Sequence, residues 1–407
     1  MLSQVEIEKK KTTAKKTIRD FDLRGKRVLI RVDFNVPLDK NLNVTDDNRI
    51  RASLPTIQYA LDQGAKVILM SHLGRPDGKP VSSLSLSPAT KRLSELLHQE
   101  VLQCSDCTGA RVKEELSQLD GSYSVAVLEN LRFNPNEEKN DPVFAKALAE
   151  NADIFINDAF GSSHRAHASV EAITKFLPSG AGFLLEKEIK YLGEAVQNPK
   201  KPFVAILGGS KVSDKIGVVE NLIAKVDKIL IGGAMAYTFL KVQGVDIGSS
   251  KYEKDKLDLA KLILNKAKAH RVEICLPVDH LVVQKVEENT PSRIEGPAIS
   301  PTWFGVDIGP KTITLFGKAL ETAKTVIWNG PMGIFEVKAF SKGSYEIASK
   351  LSHLKDATTI VGGGDTASCV IGFGLADQMS HISTGGGASL EYLEGKELPG
   401  IVSLENK

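Results

Sequence analysis

The chain has 407 residues, of which 42% are apolar and 25% charged, and its formal net charge is +2. This length predicts two domains, since single cores stop growing at about 250 to 300 residues. The near-neutral charge argues against a general nucleic-acid or acidic-membrane surface. Because the net charge is close to zero, any strong positive field must be local. No apolar run reaches the length of a membrane span.

The first residues, MLSQVEIEKKKTTAKK, contain no apolar signal segment, and Glu6 and Glu8 are atypical of a transit peptide. We therefore predict a solvated extension before Lys16 and a cytoplasmic protein. Cys104 and Cys107 form an isolated C-x-x-C. Because no further ligands lie nearby in the sequence, ordinary reduced thiols are favoured over a zinc or redox site.

Strand-like and helix-like segments alternate along the first half of the chain. Strands are predicted at residues 28–32, 67–70, 125–128 and 154–156, with helices at 49–63, from Ser87 and from Asp141-Pro142. A charged helix at 185–196 follows. Further strands are predicted at 203–207, 229–231, 273–276, 326–328, 359–361 and 381–383. This alternation predicts two similar α/β lobes, each a parallel sheet wrapped by helices, joined by a helix.

Basic motifs follow the strands of the first lobe: RVDFNVP (31–37), Arg49, SHLGRP (71–76), ENLRF (129–133) and SHRAHAS (163–169). The carboxyl ends of parallel strands line the ligand crevice, so these side chains should converge there. Any one arginine could be a surface ion pair, but recurrence at successive strands favours a site. Four arginine forks and three histidines match a small, doubly anionic ligand; they are Arg49, Arg75, Arg132, Arg165, His72, His164 and His167.

Glycine clusters follow the strands of the second lobe: GGSKVSDK (208–215), GGAM (232–235), GGGDTAS (362–368) and STGGGAS (383–389). Glycine turns that open helices expose backbone N–H groups to anions, which indicates a polyphosphate site. The spacing of a Walker loop is absent. Lys211 and Lys215 could reach phosphate oxygens, Asp365 could hold Mg²⁺, and Glu336 in WNGPMGIFE could bind ribose hydroxyls.

The chain closely resembles the phosphoglycerate kinase family from about Lys16 onward. Eight motifs carry the resemblance in order: RVDFNVP, SHLGRP, ENLRF, SHRAHAS, GGSKVSDK, WNGPMGIFE, GGGDTAS and STGGGAS. The resemblance implies two Rossmann-like lobes joined by a helix and hinge. It implies 3-phosphoglycerate or 1,3-bisphosphoglycerate on the N-terminal lobe and Mg-ADP or Mg-ATP on the C-terminal lobe. The expected domains are residues 1–184, a connecting helix at 185–199, residues 200–392, and a segment at 393–407 that returns to the first lobe. A monomer without nucleic-acid or membrane partners is expected.

The resemblance also implies the site residues. The acid would be bound by Asp33, Phe34, Asn35, Arg49, His72, Leu73, Gly74, Arg75, Arg132, His164 and Arg165. The nucleotide would be bound by Lys211, Lys215, Gly232, Gly305, Asn329, Glu336, Gly363, Gly364, Asp365 and Thr366, with Asp365 as the magnesium ligand. Ser210 stands where many members have Ala, but no charged site residue is lost.

The acceptor in this reaction is a carboxylate, with an ordinary pKa of about 3.5 to 4, so no general base is required. Catalysis would come from alignment and charge neutralisation by Arg49, Lys211 and the N–H groups of Gly364 and Gly387, in an in-line transfer after hinge closure. Two alternatives stay open from the residues alone. One is a kinase acting on a hydroxyl with Asp33 as base, and the other is a catalytically silent sensor of phosphoglycerate or nucleotide.

Overall fold

The computed structural model describes residues 14–407 and divides into two compact units. The first contains the described residues up to Glu188 together with Glu397–Lys407, and the second is Ile189–Lys396. The division falls within the helix Phe183–Gln197, where the sequence predicts a connecting helix. Most of the predicted N-terminal extension, residues 1–13, lies outside the described residues.

The first unit is built on a six-stranded parallel sheet. Its strands are β1 (Arg27–Arg31), β2 (Lys66–Met70), β3 (Leu102–Gln103), β4 (Val125–Val127), β5 (Ile154–Asn157) and β6 (Ser179–Ala181). They are ordered β3-β4-β2-β1-β5-β6. The strand order reverses at β1, because β2 lies on one side of it and β5 on the other. A ligand crevice is therefore expected at the carboxyl ends of these central strands.

Among the described residues, five helices accompany this sheet: α1 (Asn48–Asp62), α2 (Ser87–Leu97), α3 (Ala110–Ser117), α4 (Pro142–Ala149) and α5 (Phe183–Gln197). The start of α4 follows the sequence signal, since the Asp141 carboxylate accepts the N–H of Phe144 at 2.8 Å and Pro142 takes the first position. Val28, Ile30 and Leu69 are wholly buried where α1 and α2 pack on the sheet. Burial of this apolar surface drives the unit to fold.

The second unit contains a six-stranded parallel sheet and a small antiparallel one. In chain order the strands are β7 (Phe203–Leu207), β8 (Lys228–Ile231), β9 (Glu273–Cys275), β10 (His280–Val283), β11 (Ser292–Glu295), β12 (Phe304–Ile308), β13 (Thr325–Asn329), β14 (Thr358–Gly362) and β15 (His381–Ile382). The parallel sheet is ordered β15-β14-β13-β7-β8-β9, and the antiparallel sheet β11-β10-β12. The central pair β7 and β13 is where the strand order reverses.

Seven helices belong to the second unit: α6 (Ile216–Leu222), α7 (Met235–Val242), α8 (Leu257–Ala269), α9 (Pro310–Leu320), α10 (Lys342–Ser352), α11 (Gly364–Gly372) and α12 (Gly387–Leu393). The predicted α/β fold with two helix-wrapped parallel sheets is confirmed. No helix in residues 14–407 combines the length and apolarity needed to cross a membrane.

The last helix, α13 (Pro399–Val402), belongs to the first unit. The Gly400 N–H donates to Ser163 O at 2.9 Å, and Asn157 Nδ2 donates to Gly400 O at 2.8 Å. The boundary differs from the prediction, because residues 393–396 group with the second unit. Asn221 on α6 holds them there by donating from Nδ2 to Leu393 O at 2.6 Å.

Candidate active site

The turns that follow β1, β2 and β4 are hydrogen-bonded to one another. Asn35 Oδ1 accepts the N–H of Gly74 at 2.9 Å, and Arg132 Nη1 donates to Gly74 O at 2.8 Å. Gly74 has a φ of +64°, and a Cβ there would lie 2.7 Å from the Leu84 side chain. Glycine is therefore required at the point where the three predicted acid-binding turns meet.

Arg49 reaches this cluster from the start of α1. Its Nη1 donates to Asp33 Oδ2 at 2.9 Å, and Asp33 also accepts the N–H of Asn35 at 3.1 Å. The Arg49 side chain is 39% exposed and that of Asp33 11%. The other donors of the Arg49 fork make no hydrogen bond within residues 14–407.

The remaining predicted acid-site residues differ in how far their side chains are exposed to solvent. Arg75 is exposed, whereas His164 and Arg165 are half-buried, with Arg165 Nε 3.2 Å from His164 Nε2. The side chains of Phe34 and Leu73 are 0% and 3% exposed and pack in the hydrophobic core. Only their backbone atoms can face a ligand.

A charged pair that sequence reasoning did not assign is buried in the same unit. Arg31 is 1% exposed and Glu137 0%, and the Ser169 hydroxyl lies within hydrogen-bonding distance of both. Desolvation lowers the pKa of Arg31 and raises that of Glu137. A signal was present, since Arg31 follows the apolar run VLI and is the first residue of the RVDFNVP motif.

Two histidines of the first unit, His72 and His167, carry no charge at neutral pH. Burial, followed by the nearby charge of Arg31, lowers the pKa of His167 to about 3 and holds that of His72 well below its ordinary value. His72 and His167 therefore add no positive charge to that of the arginines.

Backbone bonds join the glycine turns of the second unit. Gly208 N donates to Asn329 O, and Gly233 N donates to Met332 O, each at 3.0 Å. A Cβ on Gly330 would lie 2.2 Å from Gly208 O, and one on Gly232 would lie 2.5 Å from the Met332 sulfur. These turns approach so closely that side chains are excluded, and Gly208, Gly232 and Gly330 are buried where the turns meet.

Two lysines follow the first of these turns. Lys211 is exposed, and Lys215 is half-buried and donates from Nζ to Asn329 Oδ1. Asn329 is 1% exposed, and its Nδ2 has no hydrogen-bond partner within the described part of the chain. Burial lowers the pKa of Lys215, while the nearby Asp214 and Asp365 carboxylates oppose that shift.

The turn after β14 opens α11. Gly363 has a φ of +89°, Gly364 is the first helical residue, and Asp365 is exposed in the first turn. The Thr366 hydroxyl accepts the N–H of Gly330 at 2.7 Å, which ties this turn to the one after β13. Gly387 begins α12 in the same way that Gly364 begins α11.

A magnesium ion bound chiefly by phosphates fits this arrangement. Within residues 14–407 no group of three His, Cys, Asp or Glu side chains could hold a metal ion by itself. The Asp365 carboxylate makes no hydrogen bond or ion pair with the described residues. Mg²⁺ commonly takes one or two carboxylates and fills its other positions with water and substrate phosphates.

Two further predicted nucleotide residues lie apart from the glycine turns in sequence. Gly305 is in β12, and a Cβ there would lie 1.6 Å from the Tyr237 hydroxyl, so that side of the strand is filled. Glu336 is exposed at a cavity of about 580 Å³ that is also lined by Tyr345 and Phe373.

All four cysteines are buried and free, and burial raises the pKa of Cys104 to about 12.

Comparison with known proteins agrees with these features. The family model described as "Phosphoglycerate kinase" matches residues 18–396. A phosphoglycerate kinase of Gloeothece citriformis is 56% identical over 96% of this chain and 99% of its own length. The Arabidopsis thaliana protein named "Phosphoglycerate kinase 2, chloroplastic" is 54% identical over 97% of this chain and 84% of its own.

A solved structure has the same fold. Phosphoglycerate kinase from Coxiella burnetii superimposes with a TM-score of 0.86 at 41% identity, covering 96% of this chain and 98% of that one. Similarity of sequence and fold over nearly the whole length shows that the chain belongs to the phosphoglycerate kinase family.

Proposed function

We propose a division of labour between the two units for the reaction that family membership assigns to this chain. The chain is an enzyme of glycolysis that transfers a phosphoryl group between 1,3-bisphosphoglycerate and ADP, giving 3-phosphoglycerate and ATP, in a reversible reaction. In the proposal the first unit binds the acid and the second binds the nucleotide.

The junction of the three basic turns carries the acid half of the proposal. Asn35 and Arg132 both bond to Gly74, and Asp33 orients Arg49, so these groups are held before a ligand arrives. Preorganised planar forks favour an anion with carboxylate or phosphate oxygens. The proposed acid site consists of Asp33, Asn35, Arg49, His72, Gly74, Arg75, Arg132, His164 and Arg165, with backbone atoms of Phe34 and Leu73.

The glycine turns support the nucleotide half. Lys211 and Lys215 would meet phosphate oxygens, and the first N–H of α11 at Gly364 has no partner within the helix. Asp365 would hold Mg²⁺, which supplies neutralisation of charge on the phosphates. The remaining proposed contacts are Gly232, Gly305, Asn329, Glu336, Gly363 and Thr366.

Alignment and charge neutralisation are sufficient for the chemical step. The acceptor carboxylate is already ionised, so Arg49, Lys211 and the N–H groups of Gly364 and Gly387 would stabilise the phosphoryl group during in-line transfer. The alternative of Asp33 as a general base is disfavoured, because that carboxylate is engaged by Arg49 and by the N–H of Asn35.

A crossed binding experiment tests the division of labour. The purified protein should form ATP from 1,3-bisphosphoglycerate and ADP in a coupled assay. In calorimetry, Arg132→Met should weaken 3-phosphoglycerate binding and leave ADP binding intact, whereas Lys215→Met should do the reverse. If either substitution weakened both ligands equally, the proposed assignment of ligands to units would be wrong.

We further propose that the enzyme acts as a monomer in the cytoplasm without nucleic-acid or membrane partners. The net charge of +2 supports the absence of a polyanion-binding surface. The compartment differs within the family, since the Arabidopsis relative is named chloroplastic. Sedimentation of the purified enzyme with and without nucleic acid would test both the mass and the absence of that partner.

A further inference from the structure

A buried network of charged and polar side chains adjoins His72. The Ser169 hydroxyl accepts a hydrogen bond from Arg31 Nε at 3.0 Å and donates one to Glu137 Oε1 at 2.5 Å. The Ser169 N–H donates to the other carboxylate oxygen of Glu137 at 3.0 Å. Because an isolated charge would be costly in this interior, the opposite charges of Arg31 and Glu137 hold each other in place.

The Arg31 guanidinium determines which ring nitrogen of His72 carries the proton. Arg31 Nη2 lies 3.1 Å from His72 Nδ1 and 3.4 Å from Ser162 Oγ, and Nη1 donates to Val32 O. A guanidinium has only donors, so His72 Nδ1 must be the acceptor. The neutral imidazole then carries its single proton on Nε2.

The Nε2 atom of His72 is available to a ligand. Its ring makes no hydrogen bond in residues 14–407 other than the one at Nδ1, and Nε2 is not among the buried polar atoms that lack a partner. Burial and then the charge of Arg31 keep the pKa of the ring well below its ordinary value. His72 is followed by Leu73 and by Gly74, the residue where the acid-site turns meet.

We propose that Arg31 is a positioning residue that fixes His72 in the Nε2-protonated tautomer, so that a neutral, directional donor faces a carboxylate or phosphate oxygen of the acid. This inference rests on the proposed function, since it takes the first unit as the acid-binding one. A protonated histidine would add repulsion to a cluster in which Arg31 and Arg132 already repel each other. The neutral tautomer adds a hydrogen bond without that repulsion.

Nitrogen NMR of the full, unsubstituted chain with ¹⁵N-labelled histidine tests the tautomer of His72. His72 is assigned by the loss of its signals in His72→Gln. We expect an unprotonated Nδ1 and a protonated Nε2 in the free enzyme, with the Nε2 signal shifting when 3-phosphoglycerate is added. A proton on Nδ1, or averaging between the two tautomers, would overturn the proposal.

A pair of substitutions tests the consequence for binding. The Gln side chain places an amide nitrogen near the position of histidine Nε2, and the Asn side chain places one near Nδ1. We expect KM for 3-phosphoglycerate to rise by about threefold in His72→Gln but by about tenfold or more in His72→Asn, with KM for ATP unmoved in both. Equal losses in the two variants would contradict a requirement for a donor at Nε2.

The double variant Arg31→Met with Glu137→Gln removes both buried charges together and so avoids leaving either one unpaired. We expect His72 to populate both tautomers and KM for the acid to rise while KM for ATP holds. A single Nε2-protonated tautomer in this variant would overturn the role of Arg31. If the variant fails to fold, the wild-type spectrum and the His72 pair still decide.

The same titration separates this inference from the proposed function. If 3-phosphoglycerate binds and leaves the His72 signals unmoved, the proposed acid site is wrong. If the signals move while the proton is on Nδ1, the acid site stands and only the role of Arg31 is wrong.

Discussion

The Arg49 guanidinium is held by one hydrogen bond and is still accessible to solvent. Asp33 holds Nη1 at 2.9 Å, and the side chain is still 39% exposed. We expect Arg49→Ala to lower kcat by about 10²- to 10³-fold, because its preorganised charge is needed most in the transition state. The nucleotide KM should change little in steady-state assays.

Arg51→Ala is a matched control on the same helix. Arg51 is 52% exposed and pairs with Asp47 at 2.8 Å, away from the acid-site turns. Its turnover should stay near that of the unsubstituted enzyme. A turnover for Arg49→Ala within threefold of the control would reject the catalytic role of Arg49.

Asp365 has a carboxylate without a protein partner in residues 14–407, at the first turn of α11. We expect Asp365→Asn to weaken nucleotide binding in the presence of Mg²⁺, with partial rescue by excess Mg²⁺. Calorimetric titration of ADP with and without Mg²⁺ measures this. Identical titrations for variant and parent would mean that the residue serves only the helix terminus.

At the residue scale, the sequence was more informative about exposed cations than about buried ones. Repeated arginines after strands pointed to Arg49 and Arg75, which are both accessible to solvent. Phe34 and Leu73 were named from the resemblance alone, and their side chains belong to the core. The importance of Arg31 depends on Glu137, which is distant in sequence and becomes its partner only in the folded chain.

At the scale of elements, Glu253 ties the lysine turn to α7. Its carboxylate accepts the Ser213 N–H at 3.0 Å and the Ser213 hydroxyl at 2.6 Å, and its own N–H donates to Thr238 Oγ1 at 3.1 Å. Ser213 lies two residues from both Lys211 and Lys215. We expect Glu253→Gln to raise KM for ATP by roughly three- to tenfold, because a glutamine cannot reproduce both carboxylate bonds.

The neighbouring Asp255→Asn is the control for this substitution, since the Asp255 carboxylate pairs with Lys256 at 3.0 Å. It should leave KM for ATP unmoved. Equal nucleotide KM values for the Glu253 and Asp255 variants would show that the anchor has no part in placing the lysines.

Elements with strong apolar patterns were predictable, and weakly patterned ones were not. The strand at residues 203–207 was predicted with the bounds that the structure shows. β6 reads Ser-Gly-Ala, which has no strand propensity, and is formed by pairing with β5. The antiparallel sheet was missed because β11, Ser-Arg-Ile-Glu, is short, polar and mostly exposed.

At the scale of a whole unit, buried groups with opposite effects compensate in the pH dependence of stability. Burial raises the pKa of Asp158 from 3.8 to about 7. Its contribution to stability is therefore complete below pH 3.8 and is lost as the pH rises toward 7. The depressed pKa of His167, about 3, acts in reverse, because an unfolded histidine gains a proton below about pH 6.5 and the folded one does not.

Single substitutions should reveal how each buried group changes the slope of the free energy of unfolding against pH. We expect Asp158→Asn to make the free energy of unfolding rise more steeply with pH between 4 and 6.5, by about 1.4 kcal/mol per pH unit. His167→Gln should shift the slope in the opposite direction. Denaturant unfolding across this range measures both, and a slope shared by the two variants would contradict the buried-charge account.

The whole molecule must bring two ligands together if each is bound by its own unit. We expect the radius of gyration from small-angle scattering to fall most when both 3-phosphoglycerate and nucleotide are present. Each ligand alone can shift the equilibrium only by its preference for the closed state. We also expect the helix at 185–196 to adjoin the hinge. An identical radius in the free, binary and ternary states would rule out closure.

The return of Glu397–Lys407 to the first unit affects how the chain is made. Gly400 is bonded to Ser163 and Asn157, and the Lys16 N–H donates to Glu405 O at 2.9 Å. On the ribosome these residues emerge only after all of Ile189–Lys396. The second unit is contiguous and has all of its residues before the first unit does, although most of the first unit is synthesised earlier. The nascent first unit therefore lacks the bonds of Gly400 with Asn157 and Ser163 until the end of synthesis.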